Sequence, residues 1–116
     1  MNICLINPFS KLAAIRQYNL AKCFAKLGHK VTLILPEYDK YSGYKKNLFE
    51  ECSNLTVIHP YQIKSKCIEI SMAFYFFSAL HKIKNKKFDL VHGFRPTPFS
   101  GYLGYKISNK KKIPFI

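Results

Sequence analysis

The strongest constraint in this 116-residue chain is an apolar run without alternation, placed beside a helical pattern and then a second such run. Asn2 to Ile6 is apolar on both would-be faces and stops at Asn7-Pro8, as a strand covered on both sides of a parallel sheet does. Ala13 to Leu27 follows with Leu20, Phe24 and Leu27 spaced on one helical stripe with Ala21, and Gly28 supplies a C-cap. Lys30 to Leu35 is the second apolar, β-branched run, closed by Pro36. A strand, a helix and a strand joined by short connections favour a right-handed parallel βαβ unit.

The remainder continues the alternation. Glu37 to Asn54 is polar and Tyr-rich, with a turn signal at Ser42-Gly43 and a short helix expected over Lys46 to Cys52. Leu55 to His59 reads as a third strand ended by Pro60, Cys67 to Lys86 as one long helix, and Phe88 to Gly93 as a fourth strand. Thr97 to Asn109 reads as a helix, Lys110-Lys111-Lys112 as a solvated turn, and Ile113 to Ile116 as the start of a fifth strand. The expected fold class is therefore α/β: a Rossmann-like parallel sheet flanked by helices, residues 1–116 forming one domain. A chain that stops inside an apolar strand reads as a fragment, or as one half of a split protein.

The balance of 19 Lys+Arg against 6 Asp+Glu gives a net charge of +13, so the surface attracts phosphates, nucleic acids or anionic lipids without choosing among them. Cys4, Cys23, Cys52 and Cys67 are widely spaced, spell no metal knuckle or redox pair, and read as reduced, mostly buried thiols. The N-terminus lacks the basic and apolar regions of a secretory signal, so the expected location is cytoplasmic. Ile70 to Leu80 is greasy but well short of the roughly 20 residues that cross a bilayer. Within the long helix, Ile68, Met72, Tyr75, Ala79 and Ile83 form one stripe, while Ile70, Phe74, Phe77 and Leu80 fill much of the remaining circumference. Two readings of that second set stand: burial against partner elements, or peripheral contact with the inner face of a membrane through rings flanked by lysines. A nucleic-acid binder is not expected, because most aromatics fall on predicted core positions.

Two segments carry a family resemblance. Asn19-Leu20-Ala21 followed by Leu27-Gly28-His29-Lys30-Val31-Thr32 resembles the "NLA..LA..GHEVT" pattern of family 4 glycosyltransferases. Asp89-Leu90-Val91-His92-Gly93-Phe94-Arg95-Pro96-Thr97 is similar to the "DxVHxHxP" segment of the same family, with Ser100-Gly101 continuing it. The resemblance implies the incomplete N-terminal half of a GT-B fold, which holds the acceptor. It also implies a C-terminal domain, absent from this chain together with its E-x7-E motif, that binds the nucleotide-sugar donor. The acceptor class implied is a cell-envelope glycan or a lipid-linked molecule, with no cofactor and no metal. The alternative is a non-catalytic truncated or split-subunit domain acting as a binding module.

In an open α/β sheet the ligand lies beyond the carboxyl ends of the strands, which points to the loops Asn7 to Ala14 and Phe94 to Pro98. Arg95 is the principal candidate, since a guanidinium can clamp a phosphate at two points. Thr97 is a candidate that doubles as a helix N-cap. Arg16 is similar to a basic position after the family's glycine loop, and Ala13 and Ala14 stand where that loop's glycines would be. The second histidine of the family segment is replaced by Phe94, so no catalytic residue is nominated. His92 is expected in the core and His29 in a structural role.

Overall fold

The structure, a computed structural model, describes residues 1–7, 11–35, 52–61, 63, 66–95 and 98–116; the side chains of residues 11–14, 68, 98 and 99 lie outside the described set. Seven elements follow one another: β1 (Asn2–Ile6), α1 (Lys11–Lys26), β2 (Lys30–Ile34), β3 (Leu55–Ile58), α2 (Ile68–Ile83), β4 (Leu90–Gly93) and α3 (Pro98–Lys111). The strands pair in parallel in the order β3-β2-β1-β4. Beyond β4, Ile113 to Ile116 runs alongside as a rudimentary fifth strand: the Val91 and Gly93 N–H groups donate to Pro114 and Ile116 carbonyls, at 3.0 and 2.8 Å, and the Ile116 N–H donates back to Val91. With that segment, the strand order is that of the Rossmann fold.

Each sheet face has its own core. Ile3, Leu5, Val31, Leu33 and Leu55 pack against Tyr18, Ala21 and Ala25 of α1. Cys4, Ile6, Ile34, Ile58 and Val91 pack against Tyr75, Ala79 and Ile83 of α2 and Leu103 and Ile107 of α3. Strands with apolar residues on both faces need helices on both sides, which is why the runs show no alternation. α1 covers one face while the chain moves outward from β1 to β2. α2 and α3 cover the other while it moves back through β4, so these crossovers share one hand.

α1 ends in a two-bond cap. The Gly28 N–H donates to Ala25 at 3.0 Å and the His29 N–H to Phe24 at 3.1 Å, with Gly28 at φ +86°, a conformation that costs glycine little. The ring of His29 meets that of Phe24 edge-on, so its role is structural. Gly104, inside α3, is required for a different reason: a Cβ there would overlap the ring of Phe115.

Several expectations are corrected. The sheet-facing side of α1 runs through Gln17, Tyr18, Ala21 and Ala25, while Leu20 and Phe24 are half-buried and Leu27 is 72% exposed. The first loop ends before Lys11, since Lys11 to Ala14 are helical. α2 ends at Ile83 rather than Lys86, β4 begins at Leu90 rather than Phe88, and Lys110 and Lys111 belong to α3 rather than a turn. Of the four thiols only Cys4 is buried; Cys23, Cys52 and Cys67 are exposed. Burial pushes the Cys4 thiol up to about 12, partly opposed by the Lys111 charge, and burial likewise raises the phenol of Tyr75. Cys52 bridges to Leu55, and residues 46–51 of the expected short helix lie outside the described residues.

Candidate functional site at the β1 and β4 ends

β1 and β4 are neighbours in the sheet, yet the helices that follow them lie on opposite faces. The chain therefore turns to opposite faces after the two strands, and in open α/β sheets a ligand crevice is expected at such carboxyl ends; residues 8–10, 96 and 97 lie outside the described residues. The Asn7 N–H donates to Ile34 at 3.0 Å and the Phe94 N–H to Ile6 at 3.1 Å, so both loops leave the sheet at the same level. Asn7 is fully buried there.

Arg95 comes one residue after Phe94. It is exposed and its backbone sits at φ +66°, a region that non-glycine residues seldom occupy. The Ser100 hydroxyl, fully buried on the sheet side of α3, donates to the Arg95 carbonyl and fixes this bend. Arg95 thus stands exposed just beyond β4 on a backbone tied to the helix behind it. The first turns of α1 and α3 contain no acidic residue of their own, so the positive ends of these helices are not offset from within. The first turn of α2 does contain one, Glu69, whose carboxyl is held below its usual range mainly by a hydrogen bond from the Cys67 thiol.

The other candidates divide. Ala13 and Ala14 lie in the first turn of α1, so they offer backbone rather than a glycine loop. Arg16 is exposed on the same helix, one position before the buried Gln17. Thr97 lies outside the described residues. His92 pairs in register with Leu5 and is half-buried, not a core histidine. Asp89 serves the opposite end of the sheet: its carboxylate accepts from the Asn2 N–H at 2.6 Å and its own N–H donates to the Asn2 carbonyl at 2.8 Å. At that amino end, a cleft of about 430 Å³ is bounded by Asn2, Thr32, Thr56, Lys30, Lys86 and Lys87, away from the crevice. No group of three or more potential metal-ligating side chains occurs among the described residues.

One residue escaped the sequence reading. Gln17 is fully buried on the sheet-facing side of α1, and neither atom of its amide group has a hydrogen-bond partner among the described residues. Leaving such a group unsatisfied costs about 1–3 kcal/mol. The signal was a polar residue four positions before Ala21 and eight before Ala25, and drawing the apolar stripe through Leu20, Phe24 and Leu27 hid it.

A parallel sheet in this strand order, with helices on both faces, defines a Rossmann-like α/β domain. The chain belongs to glycosyltransferase family 4, whose model matches residues 13–116. Among solved structures it is similar to the C-terminal domain of a hydrogenase from Pyrococcus furiosus (residues 78–226 of that protein), with a TM-score of 0.70 and 15% identity over 99% of this chain and 88% of the other. A second structure of that domain (residues 83–215) matches with a TM-score of 0.67 and 14% identity over the same shares. Identities this low speak to the fold alone. A search among curated proteins returns no match.

Proposed function

We propose that this chain is the acceptor-side part of a glycosyltransferase that moves a sugar from a nucleotide-sugar donor to an acceptor hydroxyl. The donor would be gripped chiefly by a second, C-terminal domain of the GT-B kind, and the acceptor would be a cell-envelope glycan or a lipid-linked molecule on the cytoplasmic side. The observation that carries this reading is the topology, which sets Arg95 and the first turns of α1 and α3 just beyond the carboxyl ends of the neighbouring strands β1 and β4. Donor phosphate charge would fall to those helix ends and to the Arg95 guanidinium, with Arg16 and the backbone of Ala13 and Ala14 flanking, and Thr97 beside α3. No metal or cofactor enters this chemistry.

A second reading is favoured by one feature of α1. Leu12, Ala13 and Ala14 are already helical where the family has a glycine loop, which removes the close backbone approach that glycines permit. On that reading the chain is a non-catalytic binding or partner module.

Titration of the purified chain with UDP- and GDP-sugars, alone and with a donor-binding partner domain, separates the two. Glycosyl transfer requires binding and turnover once the partner is present, weakened about tenfold or more in an Arg95→Ala variant, as loss of a charged hydrogen bond implies. Neither binding nor transfer under any combination leaves the module reading.

A further inference from the structure

The sheet face that meets α2 and α3 changes character along its strands. On that face β1 presents Asn2, Cys4 and Ile6 in turn, β2 presents Lys30, Thr32 and Ile34, and β3 presents Thr56 and Ile58, in register across the three strands. The members toward the carboxyl end are core. Asn2, Lys30, Thr32 and Thr56 are polar, and they floor the cleft of about 430 Å³ at the amino end. A parallel sheet is normally apolar on both faces, so polar residues in adjacent register mark ground that the helices leave open. Lys86 and Lys87, in the segment after α2, line the other wall. That segment is fastened in place. The Lys86 N–H donates to the Ile83 carbonyl at 3.0 Å, the Lys111 ammonium donates to the Lys86 carbonyl at 2.6 Å, and Asp89 ties the chain to Asn2 through two bonds. Lys82 and Lys111 donate to backbone carbonyls, whereas the ammonium groups of Lys30, Lys86 and Lys87 have no partner among the described residues. No carboxylate occurs in the described lining, and Asp89 beside it is engaged by the Asn2 N–H.

We propose that this amino-end cleft binds a small sugar or polyol carrying more than one phosphate, with its phosphates on Lys30, Lys86 and Lys87 and its hydroxyls on Asn2, Thr32 and Thr56. Shape selects among anions. The volume falls in the roughly 300–1,000 Å³ range of small-molecule sites, and a concave floor fits neither a flat bilayer nor a duplex. The lining also selects against a nucleotide, because it offers a base no open ring. Phe88, the ring in that lining, is only 6% exposed, belongs to the core beneath α2 and α3, and has the Lys111 ammonium 5.6 Å from its centroid. Thr and Asn side chains both donate and accept, as sugar hydroxyls require. A phosphate monoester carries about −1.5 to −2, so a cluster of three ammonium groups calls for more than one of them. Asn2 and Ile6 are opposite ends of β1, about 13 Å apart at roughly 3.3 Å per residue, so this site is separate from Arg95 and does not depend on the glycosyltransferase reading.

The test titrates fructose 1,6-bisphosphate into the full chain, read by calorimetry and by amide chemical-shift mapping, with fructose, ATP and a short oligothymidylate as comparisons. The expected result is saturable one-to-one binding with shifts at Thr32, Thr56 and Lys87, and no binding of fructose. The Lys30→Gln, Lys87→Gln variant should bind about tenfold or more weakly. The Lys26→Gln, Lys106→Gln variant removes the same charge from exposed positions outside the cleft and should change binding by less than about twofold. Thr56→Val should weaken binding about three- to tenfold with circular dichroism unchanged. If a variant loses its circular dichroism, the shift map of the unsubstituted chain decides. No binding, equal loss in the two lysine pairs, or shifts scattered over the surface overturns the proposal, the last two in favour of diffuse charge attraction. Tighter binding of ATP or of the oligonucleotide at the same amides overturns it in favour of a nucleotide or a nucleic acid. No nucleotide sugar is involved, so the result leaves the glycosyltransferase reading to its own test.

Discussion

α1 meets its face of the sheet through Ala21 and Ala25, with Tyr18 as the large side chain, and turns mostly polar residues to water. α2 meets the opposite face through Tyr75, Ala79 and Ile83, and turns Ile70, Phe74 and Phe77 outward. Small residues let α1 lie close to the strands, so a single apolar side suffices for it. α2 spends a large buried aromatic on the sheet and still carries a second apolar side, which fold stability alone does not require. One helix is finished by the domain, and the other presents surface for something beyond it.

That contrast can be broken at three places. Tyr75→Ala opens a cavity under α2 and should lower unfolding stability by about 3–5 kcal/mol in denaturant titration, as large-to-small changes at buried aromatics do. A loss under 1 kcal/mol would mean that α2 is loosely seated and that its two sides are not distinct. Ala21→Leu forces α1 away from β1 and β2 and should cost about 1–3 kcal/mol by overpacking. If Leu is accepted at no cost, the close approach of α1 is not what distinguishes the faces. Phe77→Ser should change stability by no more than about 0.5 kcal/mol, because the ring is mostly in solvent. A larger loss would show the outward band to be part of the core.

Much of this architecture was legible in the sequence because parallel strands announce themselves: Asn2 to Ile6 and Lys30 to Leu35 have no polar face, and Gly28 marks the turn between helix and strand. Phase was harder to read than existence. The buried side of α1 is built from alanines and a glutamine, so the large apolar residues Leu20, Phe24 and Leu27 drew the stripe to the wrong side. Lysines are good helix formers, and Lys110 and Lys111 extend α3 where a charge run suggested a turn. The cysteines misled because three of the four occupy helix and loop surfaces, a placement their composition does not reveal. The exposed rings of Phe74, Phe77, Tyr102 and Tyr105 also correct the expectation that aromatics here are mainly core. The loops after β1 and β4 are expectations from topology whose residues 8–10, 96 and 97 lie outside the described set, and Gln17 needed three dimensions: its burial depends on the rotation of α1, not on its neighbours in the chain.

The left-handed backbone of Arg95 has a consequence for how this site can vary. An arginine in that conformation costs about 1 kcal/mol relative to a glycine. At position 95 Gly would relax the bend and make the domain sturdier while deleting the guanidinium, so under the proposed function robustness and phosphate contact are opposed there. Asn54 and Lys112 bear the same kind of backbone cost elsewhere in the domain, so what sets Arg95 apart is the charge it carries just beyond β4.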